Sequence, residues 1–198
     1  ILLFVLLIII NVYIYSKKHI NKNLFIIITA FLTLYFAITL IIYNNNISWG
    51  YEEGILFGDI LNNHFCDEYR YFEDSNILLS HLHNGELIQW LNKSLPNYEY
   101  IDPQGHPGFG NYNIFVIFLT LLKFLGFSEV TELITIKLIF YIPLAIYLYK
   151  LSRLYLNDKL SSLVVIIFSL MPGFILSNTL LMRDNIIILL TLVVLYYV

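Results

Sequence analysis

Residues 24–43 read Leu-Phe-Ile-Ile-Ile-Thr-Ala-Phe-Leu-Thr-Leu-Tyr-Phe-Ala-Ile-Thr-Leu-Ile-Ile-Tyr, without a single charge. About 20 apolar residues in a helix cross the ~30 Å hydrocarbon core of a bilayer. The stretch lacks the period-two alternation of a barrel strand, so it predicts a membrane-crossing helix. Its flanks give it a direction. Lys17, Lys18, His19 and Lys22 precede it, whereas the segment from Asn44 to Tyr112 that follows is acidic. That segment holds Glu52, Glu53, Asp59, Asp67, Glu68, Glu73, Asp74, Glu86, Glu99 and Asp102, ten of the chain's 14 carboxylates, against Arg70 and Lys93. Basic flanks stay in the cytoplasm, which sends the acidic segment to the outer face.

The rest of the chain continues the pattern. It is 59% hydrophobic and only 13% charged, with a mean hydropathy of +0.74, where a soluble domain is nearer one quarter charged. The composition predicts an all-α, polytopic membrane protein. Spans are expected at about 1–15, 24–43, 133–150, 160–182 and 185–198, with an outer loop at about 44–132. A second basic cluster, Lys150, Arg153 and Lys159, belongs inside only if the apolar run at 112–127 dips into the outer leaflet without crossing. A full crossing, with that cluster outside, is the competing topology. Lys137 is expected to snorkel to the outer interface. The chain starts without Met inside one apolar run and stops inside another, so the N-terminal part of a longer protein is expected. Cys66 is alone, which excludes an internal disulfide. A Gly-rich phosphate loop, a serine-nucleophile motif and a basic nucleic-acid patch are all missing.

Inside the acidic segment, Tyr69, Phe72, Leu79 and Leu82 recur at helical steps, with Asn84-Gly85 as a stop. Glu86–Leu91 continues the apolar pattern, and both pieces would lie along the membrane surface. Asp67-Glu68 opens the first helix, where carboxylates suit the positive helix end. The pair is either a solvated cap or a base and cation ligand at the membrane surface. Arg183-Asp184 interrupts the otherwise apolar run 160–198, as a polar turn or as a site, since charge at membrane depth is costly. Pro107 and Gly108 predict a turn after His106, which could bind phosphate or metal. Pro143 and Pro172-Gly173 would kink the helices that contain them.

The order of these features resembles the GT-C type membrane glycosyltransferases, particularly glycosyltransferase family 39 with its protein O-mannosyltransferase and lipid A aminoarabinose transferase branches. Asp67-Glu68-Tyr69-Arg70-Tyr71 matches that family's Asp-Glu motif in the first outer loop. His106-Pro107-Gly108-Phe109 stands where the family has a His/Lys-Pro-Pro-Leu-type turn before a short helix. Tyr149-Lys150-Leu151-Ser152-Arg153-Leu154-Tyr155 stands for its basic, aromatic cytoplasmic stretch, and Asp184 for a second outer Asp. The likeness covers about residues 24–198. Only one Pro follows His106, and the apolar run at Ile1–Tyr15 precedes the family's usual first span.

The resemblance implies a GT-C-like helical bundle with a large helical first outer loop, in a bacterial cell membrane, with the active site facing outward. It implies transfer of a sugar from a polyprenyl-phosphate donor to a lipid, glycan or protein acceptor. Asp67 would deprotonate the acceptor, and Glu68 and Asp184 would position it or hold a divalent metal ion. Arg70, His106 and Arg183 would contact substrate, with Arg183 or Arg70 offsetting charge on the leaving phosphate. Two other classes stay open. One is a polysaccharide polymerase or ligase, whose sites rely on Arg and His. The other is a non-catalytic transport subunit, which needs polar residues along its spans.

Overall fold

The computed structural model describes residues 1–55, 67–86 and 114–198. Among these residues the chain is helical and contains no strand. The helices are α1 (Leu2–Ser16), α2 (Lys22–Ser48), α3 (Asp67–His83), α4 (Ile114–Phe124), α5 (Val130–Lys137), α6 (Tyr141–Arg153), α7 (Asp158–Leu170), α8 (Pro172–Thr179) and α9 (Asp184–Tyr197). A 3₁₀ turn at Leu138–Phe140 joins α5 to α6 in one rod of 24 residues, Val130–Arg153.

That rod and the 27-residue α2 are long and apolar enough to cross a membrane, and α7 with α8 adds a third candidate if the bent pair is one span. α1, α4 and α9 are apolar but shorter; the 15 residues of α1 rise only ~22 Å. α2 also runs five residues past Tyr43, through Asn44-Asn45-Asn46. It ends where Gly50, at φ +82°, turns the chain so that Gly50 and Tyr51 donate back to the Ile47 and Asn46 carbonyls.

The apolar run 160–182 is not one straight helix. It breaks at Met171, and α7 and α8 are bent by 68°. Pro172 is the cause: its ring forces the preceding residue out of the α region, and Met171 sits at φ −62°, ψ 128°. Pro172 is instead well suited to the first turn of α8.

By its contacts the chain divides into two compact units, residues 1–41 with 134–198, and residues 42–133. In the first, α6 packs against α7 and α9. The core combines Leu24, Ile28, Leu32 and Tyr35 of α2 with Tyr141, Ile142 and Ala145 of α6, Val165 of α7, Phe174 of α8 and Leu189 of α9. α1 is fixed to α2 by the stacked rings of Phe4 and Phe36, 4.4 Å apart, and by Asn11, which donates through Nδ2 to Thr29 Oγ1 at 2.9 Å. In the second unit α3 packs on α4.

Breaking a helix inside an apolar core releases backbone carbonyls that need new partners. At the α7 end, Tyr35 donates its hydroxyl to the Ser169 carbonyl at 2.7 Å, while the Tyr141 hydroxyl meets Ser169 Oγ at 2.9 Å. At the α8 end the partner is Lys137. It is fully buried, and its ammonium donates to the carbonyls of Ser177 (2.7 Å), Leu180 and Met182 (3.2 Å). The expected snorkelling of Lys137 therefore does not occur. Two carbonyls at the C-terminal end of α8, the negative end of the dipole, and one from the following turn hold the charge inside.

Replacing Lys137 by Met keeps the volume but leaves these carbonyls bare. Lys137→Met should cost about 2–4 kcal/mol of stability, against about 0.5 kcal/mol or less for the exposed Lys22→Met. Thermal unfolding of the two variants in one detergent checks the contrast.

Candidate functional site

Among the described residues the predicted chemistry falls in two places, one in each unit. In the second unit, Asp67 and Glu68 form the first turn of α3, as the sequence suggests. Successive helical residues point about 100° apart, and here that separates the pair. Glu68 joins the stripe of Tyr71, Phe72, Ser75 and Leu78 on the buried face and is only 2% exposed, whereas Asp67 faces out. Arg70 is half-buried, and neither it nor Glu68 stands free. α3 stops at Asn84-Gly85: Gly85 takes φ +75°, and Gly85 and Glu86 donate to the Leu82 and His81 carbonyls.

The stripe meets α4 through Tyr71 edge-on to Phe115, ring centres 5.0 Å apart, and through Thr120, whose hydroxyl lies 3.4 Å from the Ser75 carbonyl. At the end of α4, Lys123 is buried. Its ammonium donates to the Phe72 carbonyl at 3.0 Å and to Asn76 Oδ1, and lies 3.5 Å from the centre of the Phe72 ring. Burial pulls the Lys123 pKa down to about 7, against the opposing pull of Glu73 and Glu53. α4 covers residues 114–124 of the expected dipping helix. The start of that helix at Tyr112, the continuation at residues 87–91, and His106 lie outside the described residues.

In the first unit, Arg183 caps α9 and Asp184 opens it, both exposed. Asp184 is at the rim of a cavity of about 320 Å³ lined by Phe168, Met171, Pro172, Gly173, Phe174, Ser177 and Ile188. The cavity lies at the break itself, its lining running from Phe168 and Met171 at the end of α7 through Pro172 to Ser177 of α8. Gly173, on the wall, has open space where a side chain would project. Behind the rim, Asn185 and Asn178 are fully buried and 3.4 Å apart (Nδ2 to Oδ1), and Asn178 donates to the Phe174 carbonyl at 2.8 Å.

Among the described residues no three His, Cys, Asp or Glu side chains gather to hold a metal ion. No family model matches the chain, and neither does any curated protein or solved structure.

Sequence reasoning noted Lys123 only as a charge against a full crossing and overlooked Asn178 and Asn185. Each is a polar residue interrupting an apolar run, which is the available signal, but their partners could not be read from it.

The position of Lys123 has a consequence for pH. Between about pH 7 and the ordinary lysine value of about 10.4, the unfolded chain carries a proton that the folded one lacks. Stability should therefore rise with pH across this window, by at most ~1.4 kcal/mol per unit. Lys123→Met should flatten that slope, as measured by chemical unfolding followed at a series of pH values.

Proposed function

We propose that this chain is part of a multi-pass membrane glycosyltransferase that uses a polyprenyl-phosphate-linked sugar and works at the outer face. The observation that carries the reading is the cavity beside Asp184. Its walls are almost wholly apolar, and its rim bears a carboxylate next to Arg183. A lipid-linked donor has that same division, a hydrocarbon chain ending in a charged phosphate and a polar sugar. The two to three candidate spans and the strongly asymmetric charge of the flanks support a bilayer setting.

The chemistry requires little of the protein. The acceptor hydroxyl oxygen attacks the anomeric carbon, and its proton passes to a carboxylate. The bond from the anomeric carbon to the phosphate oxygen breaks, and polyprenyl phosphate leaves with the electron pair. Asp67 is the proposed base, because it is the exposed member of its pair and so within reach of an incoming hydroxyl. Asp184 accepts hydrogen bonds from sugar hydroxyls, and Arg183 offsets the growing charge on the phosphate. Glu68, being buried, is better suited to positioning α3 than to proton transfer.

Asp67→Asn should lower transfer by about 10²-fold or more, and Asp184→Asn should do likewise, with both variants still inserted in membranes. The measurement is acceptor-dependent release of polyprenyl phosphate from washed membranes. Wild-type rates from both variants would overturn the proposal.

A further inference from the structure

A second cavity lies in the same unit, at the basic ends of α2 and α7. It measures about 340 Å³ and is lined by Asn23, Ile26, Ile27, Lys159 and Ser162. Ser162 is only 8% exposed, and its hydroxyl has no hydrogen-bond partner. A buried hydroxyl left in this state costs free energy until something bonds it. Lys159 sits one turn before Ser162, on the same helix face. Among the described residues it forms no ion pair, while the neighbouring Asp158 is already engaged, by Arg153 Nε at 2.8 Å and by the Tyr149 hydroxyl at 2.9 Å. The local positive charge is therefore uncompensated, and exposed Lys22, adjacent to Asn23, adds to it.

Below the polar rim the surface becomes apolar. Leu163 and Ile167 follow Lys159 at successive four-residue steps and are 46% and 57% exposed, and Ile26 on α2 is 51% exposed. A cation and two hydrogen-bonding side chains above an exposed aliphatic stripe match one kind of molecule. We propose that this groove binds an anionic phospholipid, its phosphate held by Lys159, Ser162 and Asn23 and its acyl chains lying along Ile26, Leu163 and Ile167. Basic pockets between spans at the cytoplasmic end are suited to such headgroups. The inference rests on the first unit lying in a bilayer, and is independent of the transferase reading.

The test begins with alkaline washing of membranes. Release of the protein into the supernatant would refute the bilayer setting and the lipid site with it, whatever the fate of Asp67 and Asp184. The retained protein is then placed in nanodiscs of mixed phosphatidylcholine and phosphatidylglycerol, and bound lipid is counted by native mass spectrometry. Phosphatidylglycerol should be retained preferentially. Lys159→Gln should reduce that retention about fivefold, Ser162→Ala should also reduce it, and Lys17→Gln, at the same end of the unit but outside the groove, should not. Equal retention of the two lipids, or an equal loss in Lys17→Gln, would overturn the proposal. So would displacement of the lipid by inorganic phosphate, which would mark the groove as a site for the free ion.

Discussion

The arrangement of the first unit depends on one buried charge. Taking an ammonium out of water costs several kcal/mol even after the protein relaxes. Lys137 recovers that cost through three carbonyls, each bond to a charged donor being worth about 1.5–3 kcal/mol. The balance is close, so its value lies in what it permits. α8 can end after eight residues inside an apolar surrounding, because the carbonyls left at its end and in the following turn are already satisfied. Without that, the turn between α8 and α9 would leave buried carbonyls without partners.

The other end of the same break is managed differently. Pro172 has no N–H and disrupts the ladder between α7 and α8, and the carbonyl of Ser169 is taken up by Tyr35 from α2. Tyr35, Tyr141 and Phe174 then meet edge to face or tilted, with ring centres 5.2–6.3 Å apart. A hydroxyl at one end and an ammonium at the other thus bracket a short helix that would otherwise expose backbone to hydrocarbon. Irregular backbone at membrane depth is tolerated only where the protein covers it. Here each covering group comes from a helix other than the broken one.

This also explains what could be read from the sequence. Gly85 as a stop, the helical step of Tyr69 and Phe72, and the kink at Pro172 are local, since each is set by one residue's own backbone preference. The apolar runs reveal helices because composition alone makes them so. Lys137 was misjudged because its partners lie 40 to 45 residues along the chain, and a lysine in an apolar run otherwise reaches for water. Lys123 hides for the same reason, since its acceptors, Phe72 and Asn76, are 51 and 47 residues away. The cavity at Asp184 was out of reach because it is a space between helices.

The pair Asp67-Glu68 shows how structure divides what sequence presents as a unit. On a string of letters the two carboxylates are interchangeable. On a helix packed along one face they cannot be, for the stripe that buries Tyr71, Phe72, Ser75 and Leu78 must also take Glu68. A buried carboxylate is expensive to ionise or to leave without partners, which suits it to fixing the helix in place. The exposed carboxylate stays hydrated and carries no such cost. The helical register therefore leaves Asp67 facing outward and places Glu68 within the buried stripe of α3.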